Sequence, residues 1–410
     1  GLNAGYPNCI SLDMGGTSTD VALIKDGQAI ITNDGAFEEY PLNIPMIDVR
    51  TIGAGGSSIA YVDAGGALKV GPESAGAFPG PACYSQGGEN PTVTDASFVL
   101  GYLNKDTFAG SLDIDIDKSK AAIRNKICKP LGISLIEAAL GIHEIVNSNM
   151  AQTLRLVSIK QGHDPREFAL MPFGGAGPIH SGKLAEISSI KEILIPPTPG
   201  VLSALGLMLA PIQHESMASY EKNTNDSSWK DIKSIFSSLD KECFDRMKED
   251  RVLKKDVTKN YFVEMRYIGQ SHEIEVPVTG EINNNLIAKA QSLFHEIHQN
   301  TYSYSDKSAD VEFVTLRTVH QKLSQESSIL DRTQKPNKNK VVNKTFRDVC
   351  FSKKLGFKKV PIYKRADLSR GFELKGPAII EQPDTTTILH TNHFLKVDKF
   401  NNLLIEVPIT

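Results

Sequence analysis

Asp13, Gly15, Gly16, Thr17, Ser18, Thr19 and Asp20 all fall within one short stretch, 13–20. Two carboxylates, two adjacent glycines and three hydroxyls so close together suit the handling of a phosphate and its counter-ion. Adjacent glycines take backbone angles that other residues resist, so a run of N–H groups can turn into one concave spot and hold an anion. The hydroxyls of Thr17, Ser18 and Thr19 add donors beside it. Asp13 stands where a carboxylate reaches a hydrated divalent cation, and Mg2+, which keeps most of its waters, suits such a position. No lysine follows the glycines, so this is not a P-loop, whose Gly-Lys-Ser/Thr opens a helix. The competing reading of the same residues is a plain β-hairpin with a Gly-Gly turn.

The flanking apolar runs, 9–12 and 21–24, predict strand, tight turn, strand. Further glycine turns recur downstream. Gly53, Gly55 and Gly56 form a second loop able to pass close to a ligand, and a hairpin follows it. Glycine and proline stay dense from 71 to 88, a long irregular segment that is either functional or a plain surface loop. Thr92-Val93-Thr94-Asp95 then opens a helix over 96–103, with Thr94 or Asp95 as its N-cap. Asp95 is either that cap or a polar group of the glycine-rich site. A helix over 118–129 precedes a long one opening at Ser134, whose Glu137 gives capping-box spacing. Ile142, Ile145, Val146, Met150 and Leu154 keep a helical period there. His143 and Asn147 on this helix read as hydrogen-bonded bystanders. The run 168–173 predicts a buried strand, followed by Gly174-Gly175-Ala176-Gly177 and a helix over 179–186. Strand, glycine turn and helix N-terminus together let a nucleotide lie against bare backbone. His180, in the first helical turn, is a candidate contact to phosphate or ribose.

At 410 residues, two or three domains are expected. A lobe over 1–215 is followed by a more charged α+β unit over 216–320, a polar linker over 321–345 and a small β domain over 346–410. The net charge of −3 argues against a nucleic-acid or anionic-membrane partner. No apolar run reaches membrane-spanning length. The five scattered cysteines lack a Cys-x-x-Cys pair and read as free thiols in a reducing cytoplasm. Cys83 reads as a packed thiol, with a nucleophile as the alternative. The first residue is not methionine and the first strand starts almost at once, which suggests a segment upstream.

Several long stretches, in order, resemble the hydantoinase A/oxoprolinase family: 13–21, 51–60, 71–84, 92–96 and 173–180, then Arg266-Tyr267-Ile268-Gly269-Gln270-Ser271-His272 and Gly376-Pro377-Ala378-Ile379-Ile380-Glu381. The resemblance implies an α/β fold, an actin-like ATPase (ribonuclease-H-like) lobe. Its glycine hairpin, Asp13 to Asp20, would grip the phosphates of ATP with Mg2+, and 174–177 would hold the adenosine. It also implies a first lobe, absent here and supplied by the same longer chain or a separate subunit. A B-type partner subunit and a small cyclic amide are implied too, the amide's carbonyl oxygen being phosphorylated by ATP before water opens the ring. Asp13, Asp20 and Asp95 are the catalytic candidates. The alternatives are a ketone carboxylase subunit, in which ATP activates a ketone or bicarbonate, and a non-catalytic half-subunit. Ser85-Gln86 departs from the Gly-Arg usual in relatives, which bears on the substrate.

Overall fold

In the computed structural model, residues 1–32, 46–108, 112–322 and 344–409 are described, with the backbone course at 35–37 and 40–42. The chain divides into two compact units, Gly1–Leu205 with Asp331–Thr410, and Gly206–Leu330.

The first unit is built on a mixed sheet. Strands β1 (Cys9–Met14) and β2 (Thr19–Lys25) form an antiparallel hairpin with Met14 opposite Thr19. Strand β3 (Gln28–Ala29) and strand β4 (Val49–Ile52) both pair with β2. A hairpin of β5 (Ser58–Val62) and β6 (Leu68–Ser74) follows. Three helices then cross: α1 (Val93–Val99), α2 (Ile116–Ile123) and the long α3 (Leu135–Val157). Ser134 and Glu137 cap α3 reciprocally, as their spacing predicts. The chain returns as β7 (Ala169–Phe173), parallel to β1, continues through α4 (Gly177–Ser188), and adds β8 (Glu192–Ile195) parallel to β7. Helix α5 (Leu202–Leu209) comes next.

The second unit is an antiparallel sheet with two helices. Its strands β9 (Ile212–Asn223), β10 (Thr258–Tyr267), β11 (Ile274–Val278) and β12 (Val311–Lys322) are ordered β9-β12-β10-β11. Helices α6 (Trp229–Glu249) and α7 (Leu286–Tyr302) bury Phe236 and Phe294 against Phe313 of the sheet. This agrees with an α+β unit, although it starts at 206 rather than 216.

The C-terminal segment departs from expectation. Strands β13 (Lys344–Cys350), β14 (Phe357–Lys364), β16 (Ala378–Glu381) and β17 (Thr386–Leu389) form a four-stranded sheet. Strands β15 (Glu373–Lys375), β18 (Phe394–Val397) and β19 (Leu403–Glu406) instead extend the first unit's sheet, giving the order β15-β18-β19-β8-β7-β1-β2-β3. Leu395 and Ile405 therefore share one core with Ile10, Leu12 and Leu170, and 346–410 is not a separate β domain. Alternation marks these segments as strands but does not say which sheet they join. The linker expected over 321–345 lies, apart from strand residues at its two ends, outside the described residues.

Candidate active site

Strands β1, β7 and β8 are parallel neighbours, so their carboxyl ends lie on one side of the sheet, where open α/β sheets bind ligands. Asp13-Met14 closes β1, Gly174 follows β7, and the Pro199–Val201 turn follows β8. The Ala176 N–H donates to the Met14 carbonyl (3.0 Å) and the Gly174 N–H to the Pro199 carbonyl (2.9 Å), tying the three ends together. Gly174 has φ +78°, and a Cβ there would come within 2.5 Å of Asp13 Oδ1, so only glycine fits.

The hairpin turn is held from behind. Gly15 donates to the Ser18 carbonyl (3.1 Å), while Gly56 and Ser57 donate to the carbonyls of Gly15 (3.0 Å) and Gly16 (2.6 Å). Among the described residues, the N–H groups of Gly16, Thr17, Ser18 and Gly175 donate to no protein acceptor. Gly16, Thr17 and Gly175 are exposed. Backbone donors left over in a fixed turn are the raw material of an anion nest.

Asp13 and Asp20 stand directly opposite each other on the two strands. Opposed residues of an antiparallel pair point to the same face, and like charges there repel. One oxygen of each carboxylate is satisfied by a hydroxyl from elsewhere: Ser203 Oγ donates to Asp13 Oδ2 (2.6 Å) and Thr51 Oγ1 to Asp20 Oδ1 (2.5 Å). Ser74 Oγ donates to Thr17 Oγ1 (3.3 Å). An all-oxygen set with two facing carboxylates matches a hard cation such as Mg2+, which needs only one or two carboxylates beside waters and phosphate oxygens. No group of three metal-ligating side chains occurs among the described residues.

Other expected site residues sit elsewhere. Thr19 is fully buried, donating to the Ala54 carbonyl (2.5 Å), so it faces the core and not the nest. Gly55 and Gly56 brace the hairpin from behind, while Gly53 packs on Pro72 and lines a cavity with Val70 and Asn149. A Cβ at Gly55 would lie 2.5 Å from the Gly16 backbone, one at Gly53 would meet Pro72, and one at Gly56 would meet Thr94 Oγ1. Gly177 is buried against β1, so of 174–177 only Gly175 and part of Ala176 are open to a ligand.

Asp95 is neither an N-cap nor an accessible acid. Thr92 caps α1 and Asp95 completes the capping box from inside the helix. Its fully buried carboxylate accepts from the N–H groups of Ala82 (3.1 Å), Cys83 (2.9 Å) and Thr92 (2.9 Å) and from the hydroxyls of Thr92 (2.8 Å) and Ser119 (2.6 Å). Five donors saturate it, and it shapes the glycine- and proline-rich segment. Burial and the Asp95 carboxylate push the Cys83 thiol up, which leaves no thiolate to act as a nucleophile.

His180 is buried too, and does not face the turn. Its Nδ1 pairs with Asn147 Oδ1 (2.8 Å), and its ring stacks on His143 at 4.9 Å. Burial holds His180 down at about 3, so the ring is neutral. Thr51 and Ser74 lie in the family-like stretches 51–60 and 71–84 without any sign of these partners, and Ser203 lies in none of those stretches. Ser203 lies 190 positions from Asp13 in a run whose evident feature is its apolar character.

A family model described as Hydantoinase/oxoprolinase matches residues 1–216, and one for the Hydantoinase/oxoprolinase C-terminal domain matches 219–406. The caprolactamase subunit alpha of Pseudomonas jessenii is 36% identical over 399 residues, covering 94% of this chain and 56% of that protein. Among solved structures, the nucleotide-free acetone carboxylase superposes with a TM-score of 0.83 at 25% identity, covering 99% of this chain and 59% of that one. The ATP-dependent caprolactamase from Pseudomonas jessenii superposes with a TM-score of 0.81 at 33% identity, again covering 99% and 59%. This chain thus spans somewhat over half the length of each. With both family models matched in succession across nearly all of its residues, the chain belongs to the hydantoinase/oxoprolinase family.

Proposed function

We propose that this chain is the ATP-binding part of an enzyme that activates a cyclic amide, such as a hydantoin or 5-oxoproline, by phosphorylating its carbonyl oxygen. The observation that carries the reading is the set of free N–H groups at Gly16, Thr17, Ser18 and Gly175, beside the facing carboxylates of Asp13 and Asp20. In this reading the first unit is an actin-like, ribonuclease-H-like ATPase lobe. The parallel course of β1, β7 and β8 and the glycine turns at their carboxyl ends support it. The facing half of the nucleotide site comes from polypeptide outside these residues, and a B-type subunit takes part in ring opening. Membership of a family whose similar proteins are described as ATP-dependent supports the nucleotide.

An amide carbonyl is a poor electrophile, and making its oxygen a phosphate ester lowers the barrier to attack at carbon. The amide oxygen attacks the γ-phosphorus, the bond to the β-phosphate oxygen breaks, and ADP leaves with that electron pair. The backbone donors of 16–18 hold the phosphates in line, which is most of what a protein contributes to phosphoryl transfer. Mg2+, held through Asp13, would neutralise charge developing on the phosphate oxygens. Thr17, at the exposed tip, donates to the bound anion. Gly175 and Ala176 present bare backbone to the nucleoside.

ADP release by the complete protein with its partner subunit tests the reading. Stimulation by a hydantoin, 5-oxoproline or a lactam is expected. Stimulation only by a ketone with bicarbonate moves the assignment to the carboxylase reading, which the likeness to acetone carboxylase favours. No stimulation by either class leaves a non-catalytic half-subunit.

A further inference from the structure

We propose that Ser203 is a positioning residue that aims the Asp13 carboxylate at the metal, and that Asp384, far along the chain, holds the turn that delivers it. The inference rests on the nucleotide reading above. A carboxylate at a strand end pivots about two side-chain torsions and can present its lone pairs in several directions. Here both oxygens are constrained. Oδ2 receives the Ser203 hydroxyl at 2.6 Å, and Oδ1 lies where a Gly174 Cβ would come within 2.5 Å. The outward lone pairs then keep one direction before any cation arrives, which is how an outer hydrogen bond tunes a metal-binding carboxylate.

Ser203 is itself placed by bonded contacts. The turn Pro199–Val201 accepts the Gly174 N–H through Pro199 on one side. On the other, the Gly200 N–H donates to Asp384 Oδ2 (2.8 Å), and a Cβ at Gly200 would lie 2.6 Å from the Asp384 Cβ. Asp384 Oδ1 accepts from Gln382 Nε2 (2.7 Å), whose Oε1 accepts from Arg365 (3.1 Å). Arg365 also donates to the carbonyls of Ile195 (3.1 Å) and Asn401 (3.0 Å). Thr385 Oγ1, the next residue, donates to the Gly175 carbonyl (2.8 Å). One loop between β16 and β17 thus steadies both the turn that leads into α5 and Ser203 and the glycine loop proposed to meet the nucleoside. This gives the C-terminal strands a reason to join the first unit's core.

The test uses the complete natural protein and reads binding rather than turnover. Mn2+ serves as the probe, its free concentration followed by electron paramagnetic resonance in the presence of a non-hydrolysable ATP analogue. Ser203→Ala is expected to raise the Mn2+ concentration at half-saturation about ten-fold, the low end for a hydrogen bond to a charged group. Metal-free analogue affinity and melting temperature stay as in the parent. Ser203→Thr restores the parent value, and Asp384→Asn shifts Mn2+ affinity in the same direction as Ser203→Ala. If Ser203→Ala binds Mn2+ like the parent while Asp13→Asn does not, the positioning role is overturned and the nucleotide reading stands. If the parent itself shows no nucleotide-dependent Mn2+ binding, both fall. A Ser203→Ala defect that Ser203→Thr fails to restore also overturns the positioning role.

Discussion

Lowering the pH from 7 to 5 should cost the first unit several kcal/mol of stability, because its core contains histidines that fold in the neutral form. His143 on α3 and His180 on α4 stack ring on ring, and His390 lies close by, with His393 5.5 Å from it. Burial holds His180 at about 3 and His390 at about 4, and pushes His143 down as well, the neighbouring histidines adding to the effect. An unfolded histidine titrates near 6.5. Below that value the unfolded chain takes up protons that the folded chain does not, so stability is complete above about 6.5 and is lost as the pH falls toward the folded values. Over this pH step one such histidine costs about 2 kcal/mol, so His180 and His390 together account for up to about 4 kcal/mol. His143 acts in the same direction. The exposed rim of His390 moderates its share. The Glu186 carboxylate, held near 2 chiefly by its hydrogen bond from His393, loses its contribution only below the ordinary carboxylate range, so it does not blur this window. Against a typical total of about 5–15 kcal/mol the loss is large. Urea titrations at pH 7, 6 and 5 measure it, and His180→Gln should remove about 2 kcal/mol of the pH dependence. A denaturation midpoint that stays constant between pH 7 and pH 5 would refute the reasoning.

Two substitutions separate the brace from the nest. Gly55→Ala places a methyl group 2.5 Å from the Gly16 backbone and should cost about 1–3 kcal/mol in thermal or urea unfolding, whereas Gly16→Ala, with only Ser57 Oγ at 3.6 Å, should leave unfolding unchanged and weaken nucleotide binding. Asp95→Asn exchanges acceptor capacity for a donor among five buried donors, and should lower stability by about 1–3 kcal/mol. Its melting temperature should fall while the nucleotide affinity of the folded fraction stays the same.

The hairpin was legible because its glycines and carboxylates are consecutive in sequence, and the position of β7 before Gly174 because a short apolar run ends there. The family emerged from motifs spread over most of the chain. What proximity in sequence could not convey was the partner of each group. Glycine marks close approach equally well when the neighbour is a ligand or another backbone, and for Gly55 it is the Gly16–Thr17 backbone. A Thr at a strand start points inward or outward according to register, which puts Thr19 in the core. Asp95 and His180 have residue types typical of active sites, yet Asp95 is saturated inside the fold and His180 is buried with its Nδ1 paired to Asn147. Ser203 and Asp384 were out of reach, because only the closure of the sheet brings β8, the C-terminal loop and Asp13 together.

The central claim is that the 13–20 turn binds the phosphates of ATP through a cation held by Asp13. Calorimetry of the complete protein with ATP, with and without Mg2+, for the parent and for Asp13→Asn, tests it most directly. Binding that strengthens with Mg2+ in the parent and loses that dependence in Asp13→Asn is the predicted result. Equal Mg2+ dependence in both proteins, or none in the parent, would contradict it.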